Sequence, residues 1–262
     1  MKPKKSLGQH WLKNKKALSQ ICAAAELTKR DTVLEIGPGP GTLTKLLVER
    51  AGRVVAVELD EKLALDLPKK IKSRKLKVEQ GDILHFNLAK LAPGYKVVAN
   101  IPYYLTSNLL RVLSESVNPP QTIVLLVQKE VAERVVAEPG QMSVLAVSVQ
   151  LYYQASLGRI VEAKLFTPPP KVDSQVLILN KHPEPLFDNL DTKSFFRVVK
   201  AGFSARRKKL RGSLSGGLNI SKKETDEILA QAGIDANLRA QNLSLEDWYK
   251  IAQAWHPTKL ML

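Results

Sequence analysis

From about residue 30 to residue 180, short runs of β-branched and apolar residues alternate with longer amphipathic stretches. The β-rich runs fall at Thr32–Ile36, Val54–Val57, Leu76–Val78, Lys96–Ala99, Thr122–Val127 and Gln175–Leu179. Helical spacing fills intervals such as Thr42–Ala51, Glu61–Ile71 and Ser107–Glu115. Strands alternating with helices of this length predict an α/β fold with a mostly parallel, doubly wound sheet covered on both faces. In such sheets ligands bind outside the carboxyl ends of the strands. Those ends are where chemistry is to be sought.

After Lys181-His182-Pro183-Glu184-Pro185 the pattern changes to helices only. Ser221-x-x-Glu224 is a capping box ahead of an apolar run that stops at Gly233. A later helix begins at Ser244, with Leu245, Trp248, Ala252 and Trp255 on one stripe, which assigns the tryptophans to a core. Two domains are expected: residues 1–182, opening with a basic segment over 1–16, and a small all-helical domain over 183–262.

Charge changes this picture. The 262 residues carry 40 Lys and Arg against 25 Asp and Glu, a net charge of +15. Residues 1–16 hold six lysines and no acid, and Arg206-Arg207-Lys208-Lys209-Leu210-Arg211 is basic at five of six positions. A charge run alone is usually a solvated face. Two separate clusters on so basic a chain point to a polyanion, whose phosphates release counterions when neutralised. Lys4, Lys5, Arg206, Arg207, Lys208, Lys209 and Arg211 are the candidate phosphate contacts. Neither cluster continues into a long amphipathic helix, so a membrane is not the expected partner. Cys22, the only cysteine, excludes an internal disulfide and a cysteine-based metal site, and no metal is expected. Its neighbours Leu18, Ile21 and Ala25 recur at helical spacing and make it a core residue. The chain lacks the apolar stretch of a signal peptide or a membrane span, which predicts a cytoplasmic protein.

The sharpest local signal is Glu35-Ile36-Gly37-Pro38-Gly39-Pro40-Gly41-Thr42, directly after the first strand and opening a helix. Glycines let the backbone turn sharply and approach a ligand that a Cβ would block. A dinucleotide loop wants G-x-G-x-x-G and free backbone donors for pyrophosphate. Here the spacing is G-x-G-x-G, and Pro40 removes a donor. Glu58 ends the second strand, where an acid can accept both ribose hydroxyls. Gly81-Asp82-Ile83 follows the third strand, and its carboxylate can accept from an adenine amine. Each acid alone is more often a surface residue. Together, in this order, they describe a site for an adenosine without phosphates, which suits S-adenosylmethionine better than NAD.

Asn100-Ile101-Pro102-Tyr103 follows the fourth strand. An Asn-x-Pro turn is common in loops, yet this one carries a specific chemistry. The lone pair of an adenine N6 amine is delocalised into the ring. Two acceptors, the Asn100 side-chain oxygen and the Ile101 carbonyl, can hold its N–H bonds and localise that lone pair towards a methyl donor. Pro102 stiffens the turn, and Tyr103 offers a face for the extruded base, a stack worth about 1–3 kcal/mol. No strong general base is then needed.

These segments, with Leu7-Gly8-Gln9-His10-Trp11-Leu12, Leu126-Val127-Gln128-Lys129-Glu130-Val131, Phe166-Thr167-Pro168-Pro169-Pro170-Lys171-Val172-Asp173-Ser174 and Phe203-Ser204-Ala205-Arg206-Arg207-Lys208, resemble the KsgA/RsmA family of ribosomal RNA adenine dimethyltransferases nearly end to end. The resemblance implies a Rossmann-like methyltransferase domain followed by a small helical domain. It implies that His10, Leu12, Gly37, Gly39, Glu58, Asp82, Ile83 and Asn100 contact S-adenosylmethionine. It implies that Tyr103 and Phe166 sandwich the target base, beside a catalytic loop of Asn100, Ile101 and Pro102. The substrate implied is a pair of adjacent adenines in a hairpin near the 3′ end of 16S ribosomal RNA, in the small-subunit precursor, and a monomeric enzyme is expected. The chain departs from the common pattern at His10-Trp11, where many members carry Asn-Phe. A sister class that dimethylates a large-subunit adenine shares the N-terminal motifs. The P-P-P-K-V-D-S segment and the F-x-x-R-R-K-x-L-R stretch, taken as a helix, look more like the small-subunit family. Action chiefly as a ribosome-assembly factor is the non-enzymatic alternative.

Overall fold

A computed structural model describes residues 3–4, 7–205 and 207–255. The chain divides into two compact units, residues 1–133 with 153–181, and residues 134–152 with 182–262.

The first unit is built on seven strands: β2 (Thr32–Ile36), β3 (Arg53–Glu58), β4 (Leu76–Gln80), β5 (Lys96–Asn100), β6 (Thr122–Gln128), β7 (Tyr153–Val161) and β9 (Ser174–Lys181). A separate two-residue ladder joins β1 (Trp11–Leu12) to β8 (Phe166–Thr167). The sheet order is β4-β3-β2-β5-β6-β9-β7, and β9 alone runs opposite to the other six strands. Its centre carries the near-continuous apolar runs that a doubly covered parallel sheet needs. Val97, Val98, Ala99 and Ile123 to Val127 are fully buried. Each such Val, Ile or Leu contributes about 1.5–3 kcal/mol relative to exposure.

Helices α1 (Lys15–Ala24), α2 (Thr42–Arg50), α3 (Glu61–Lys70), α4 (Thr106–Ser114) and α5 (Lys129–Val135) accompany these strands. Local chemistry starts several of them: the Asn14 side chain accepts from Ala17 N, and Asp60 accepts from Lys62 N and Leu63 N. Cys22 is buried on α1 among Leu18, Ile21 and Ala25, and burial pushes its thiol up to about 11. Strand β2 pairs with both β3 and β5, so the winding reverses beside it. Ile36, Glu58 and Asn100, the last residues of three parallel strands, and Gly81 just after a fourth therefore surround one crevice.

Strand β7 is absent from the sequence-derived set. It is an edge strand whose register slips between Leu157 and Ile160, so its residues never alternate cleanly between core and solvent. Gly158 sits in the slip, where an added Cβ would stand 2.9 Å from Val176 Cβ.

The second unit contains α6 (Val144–Gln150), α7 (Thr192–Phe203), α8 (Leu210–Leu218), α9 (Lys222–Ala232) and α10 (Leu245–Ala254). Ser221 caps α9 through Glu224 N, and Gly233 closes it in the left-handed region. Trp248 and Trp255 are buried, as their stripe predicted. Gly202 permits the close crossing of α7 and α10, since a Cβ there would lie 2.3 Å from Trp248 Cη2. The expected division into 1–182 and 183–262 missed one segment. Ala146, Val147 and Leu151 bury into the helical core, which carries residues 134–152 into that unit. The basic run is also not one continuous helix, since α8 takes up only its last two residues, Leu210 and Arg211. Among the described residues, 204–205 and 207–209 form the turn between α7 and α8. Crowded like charges disfavour helix at that spacing.

Candidate active site

The crevice encloses a cavity of about 150 Å³ within the sheet-bearing unit. Its walls come from residues 7–12, the glycine loop, the end of β3, Gly81 to Leu84 and Asn100 to Leu105. His10, Leu12, Gly37, Gly39, Glu58, Asp82, Ile83, Asn100, Ile101, Pro102 and Tyr103, derived from separate stretches of sequence, all line it.

Gly37, Gly39 and Gly41 adopt φ values of +62°, +56° and +88°, conformations that L side chains rarely reach. A Cβ on Gly37 or Gly81 would meet nothing within 4 Å, so the missing side chains leave room for a ligand. Glu58 is buried, and both of its oxygens are held by backbone donors: Gly39 N to Oε2 and Asp60 N to Oε1, each at 2.9 Å. A carboxylate oxygen has two acceptor positions, so the fixed group still offers lone pairs to a diol. Burial raises the Glu58 pKa, and the two amide donors pull against that rise. Asp82 caps the following turn through Leu84 N at 2.9 Å and stays half exposed at the rim.

Glu35 also lines the cavity at 1% exposure. Burial pushes its carboxyl up to about 8; the neighbouring Glu58 adds to the rise and the Thr44 hydroxyl opposes it. Sequence reasoning placed Glu35 in the loop without a role of its own. Its position at the end of an otherwise apolar β2 was the available signal. Among the described residues, the lining contains three acids and no Lys or Arg. That donor and acceptor set fits a nucleoside carrying a cationic centre and misfits a pyrophosphate. S-adenosylmethionine has that composition.

Residues 7–12 form a strap along the cavity. The Thr42 hydroxyl donates to Leu12 O at 3.0 Å, and Asn100 Nδ2 donates to His10 O at 3.2 Å. His10 Nδ1 donates to Pro168 O at 2.6 Å, and Leu12 pairs with Phe166 in the small ladder. Lys4 reaches Asp60 at 2.7 Å, an ion pair that holds the Asp60 carboxyl below its usual range. This lysine, a candidate phosphate contact, thus already has a partner inside the unit.

In the loop Asn100–Tyr103, the Tyr103 hydroxyl shares a 2.7 Å hydrogen bond with Ser174 Oγ. Its ring lies nearly parallel to His10, with 6.0 Å between centroids and 16° between planes. Phe166, the other member of the expected aromatic pair, is 3% exposed, packs in the core with Leu12, and is not among the residues that line the cavity. The ladder with β1 turns its side chain inward, and the ring that faces Tyr103 is His10.

The basic run divides. Arg207, Lys208, Lys209 and Arg211 are all exposed, but Lys209 Nζ donates to Asn237 Oδ1 at 2.7 Å and Arg211 pairs with Asp226 at 2.5 Å. Lys5 and Arg206 lie outside the described residues. No helix among the described residues is long and apolar enough to cross a membrane.

Comparison with known proteins agrees with this geometry. The chain is 41% identical over 259 residues to the ribosomal RNA small subunit methyltransferase A of Dehalococcoides mccartyi, covering 96% of this chain and 88% of the relative. A dimethyladenosine transferase from Plasmodium falciparum superposes with a TM-score of 0.80 at 27% identity, covering 92% of this chain and 96% of that one. The 23S rRNA methyltransferase ErmE superposes with a TM-score of 0.75 at 26% identity, covering 93% and 98%. Residues 1–256 match the family described as ribosomal RNA adenine dimethylase. The chain belongs to that family, and it is an S-adenosylmethionine-dependent ribosomal RNA adenine dimethyltransferase of class I fold.

Proposed function

We propose that the protein transfers methyl groups from S-adenosylmethionine to the N6 amines of two adjacent adenines in a hairpin near the 3′ end of 16S ribosomal RNA, within the small-subunit precursor. The observation that carries this reading is the orientation of Asn100. Its Nδ2 is spent on His10 O, which leaves Oδ1 as an acceptor at the cavity. With the Ile101 carbonyl, that oxygen takes the two N–H bonds of the target amine and favours a tetrahedral nitrogen. The nitrogen lone pair then attacks the methyl carbon. The cofactor, when bound, supplies that methyl on a sulfonium and leaves as a neutral thioether. The N6 proton is lost afterwards, without a strong base.

Glu58 accepts the cofactor ribose, Asp82 its adenine amine, and the open face of Gly37, with the Gly39 backbone beside it, admits the rest. Leu12, Ile83 and the His10 backbone complete the contacts, while Tyr103 stacks the target base. Among the basic residues, Arg207 and Lys208 are the phosphate contacts best supported, because Lys209 and Arg211 already hold Asn237 and Asp226. The protein works as a monomer in the cytoplasm.

The choice of the small over the large subunit rests on sequence likeness to relatives named for the small subunit, because the ErmE fold is nearly as similar. The test supplies labelled S-adenosylmethionine with small subunits lacking the modification, large subunits and duplex DNA in parallel. Label in the small subunit alone supports the reading. Label in the large subunit alone overturns it in favour of the sister class, and no label despite cofactor binding favours an assembly factor.

A further inference from the structure

Tyr103 is followed by a second tyrosine whose setting differs. Tyr104 lies at the cavity mouth and is 65% exposed. Its hydroxyl makes no hydrogen bond among the described residues, whereas that of Tyr103 is tied to Ser174. The ring is held by packing against the strap. An added Cβ on Gly8 would stand 3.3 Å from Tyr104 Cε1 and 3.4 Å from Cδ1, and Gly8 has φ +60°. A side chain there would press on the ring from a backbone conformation that already disfavours it. The turn Tyr103–Leu105 fixes both aromatics at one opening, and Thr106 Oγ1 closes it on Tyr103 O at 3.0 Å. An apolar ring left in water forfeits its burial energy, so its place beside a base-binding cavity calls for a partner.

Extruding a base from a stack also strips its neighbour of a stacking surface. We propose that Tyr104 is the stacking platform for the nucleotide adjacent to the target adenine. This rests on the reading of paired adenines given above. An aromatic face accepts any base, because every base has a π-face. N6-methylation blocks pairing but leaves that face intact, so one platform serves an unmodified neighbour in the first round and a dimethylated one in the second.

The test uses the full chain in two mixtures: S-adenosylhomocysteine with an RNA hairpin carrying 2-aminopurine beside the target adenine for fluorescence, and S-adenosylmethionine with the unsubstituted hairpin for turnover. Wild type keeps the probe quenched on binding. Tyr104→Ala leaves it bright, raises KM for the hairpin about tenfold or more with kcat little changed, and accumulates RNA carrying only one modified adenine. Tyr104→Phe matches wild type, and both variants bind cofactor normally. An unaltered KM and quenching in Tyr104→Ala would overturn the proposal, as would a Tyr104→Phe as impaired as the alanine variant, which would transfer the role to the hydroxyl. A wild type that never methylates the hairpin would instead overturn the underlying substrate reading.

Discussion

Asn100 donates its side-chain amide to the backbone carbonyl of His10 at 3.2 Å, across ninety positions of sequence. An amide has a donor end and an acceptor end. Spending the donor on the strap decides which end meets the substrate. Asn100→Ala removes the acceptor and is expected to lower kcat by about 10²–10³-fold, the range for losing one preorganised polar group. Cofactor affinity falls far less. Single-turnover methyl transfer alongside cofactor calorimetry separates the two effects; equal losses in both would refute the assignment.

Glu58→Gln replaces one acceptor oxygen by a donor that must face either Gly39 N–H or Asp60 N–H. Hydrogen bonds to a charged group contribute about 1.5–3 kcal/mol, so S-adenosylmethionine affinity should drop tenfold to a hundredfold on that scale. RNA binding measured without cofactor should not change. An unchanged cofactor affinity would remove Glu58 from the site.

The Glu35 carboxyl gives a pH dependence of definite sign. Its pKa is about 8 in the folded protein against an ordinary 4.5, so between those values the folded state holds a proton that the unfolded chain lacks. Stability from this group is complete below the ordinary value and is lost as pH rises through about 8. Burial shifts Glu58 in the same direction. The unfolding midpoint of the cofactor-free protein should therefore fall across this window, and Glu35→Gln should flatten the slope. Equal slopes in both proteins would show that Glu35 does not titrate there.

Within the basic run, the partners already held predict unequal roles. Replacing Arg207 and Lys208 with alanine should reduce the slope of log affinity against log salt by roughly 0.7–0.9 for each phosphate no longer neutralised. Replacing Lys209 and Arg211, which already hold Asn237 and Asp226, should change it less. Filter binding of ribosomal RNA across a salt series distinguishes the pairs, and the reverse order would contradict the account.

The elements around the cavity were legible because they are built from local signals. Apolar runs, caps and glycine turns specify the ends of β2, β3, β4 and β5, and the winding rule joins those ends at one crevice. What depended on distant partners was not legible. Strand β7 exists only by pairing with β9, and its bulge hides the alternation. Residues 134–152 join the helical unit through the packing of Ala146 and Val147. Phe166 looks like any loop aromatic until its ladder with Leu12 turns it into the core. His10 shows its place only once Pro168 and Tyr103 are brought beside it.

The most direct test of the central claim is to find where the methyl groups land. Small subunits lacking the modification are incubated with the protein and S-adenosylmethionine, and their RNA is then digested and analysed by mass spectrometry. The account predicts N6,N6-dimethyladenosine at two neighbouring positions in the small-subunit RNA, and its loss with Asn100→Ala. Dimethyladenosine confined to large-subunit RNA, or methylation at an atom other than N6, would contradict it.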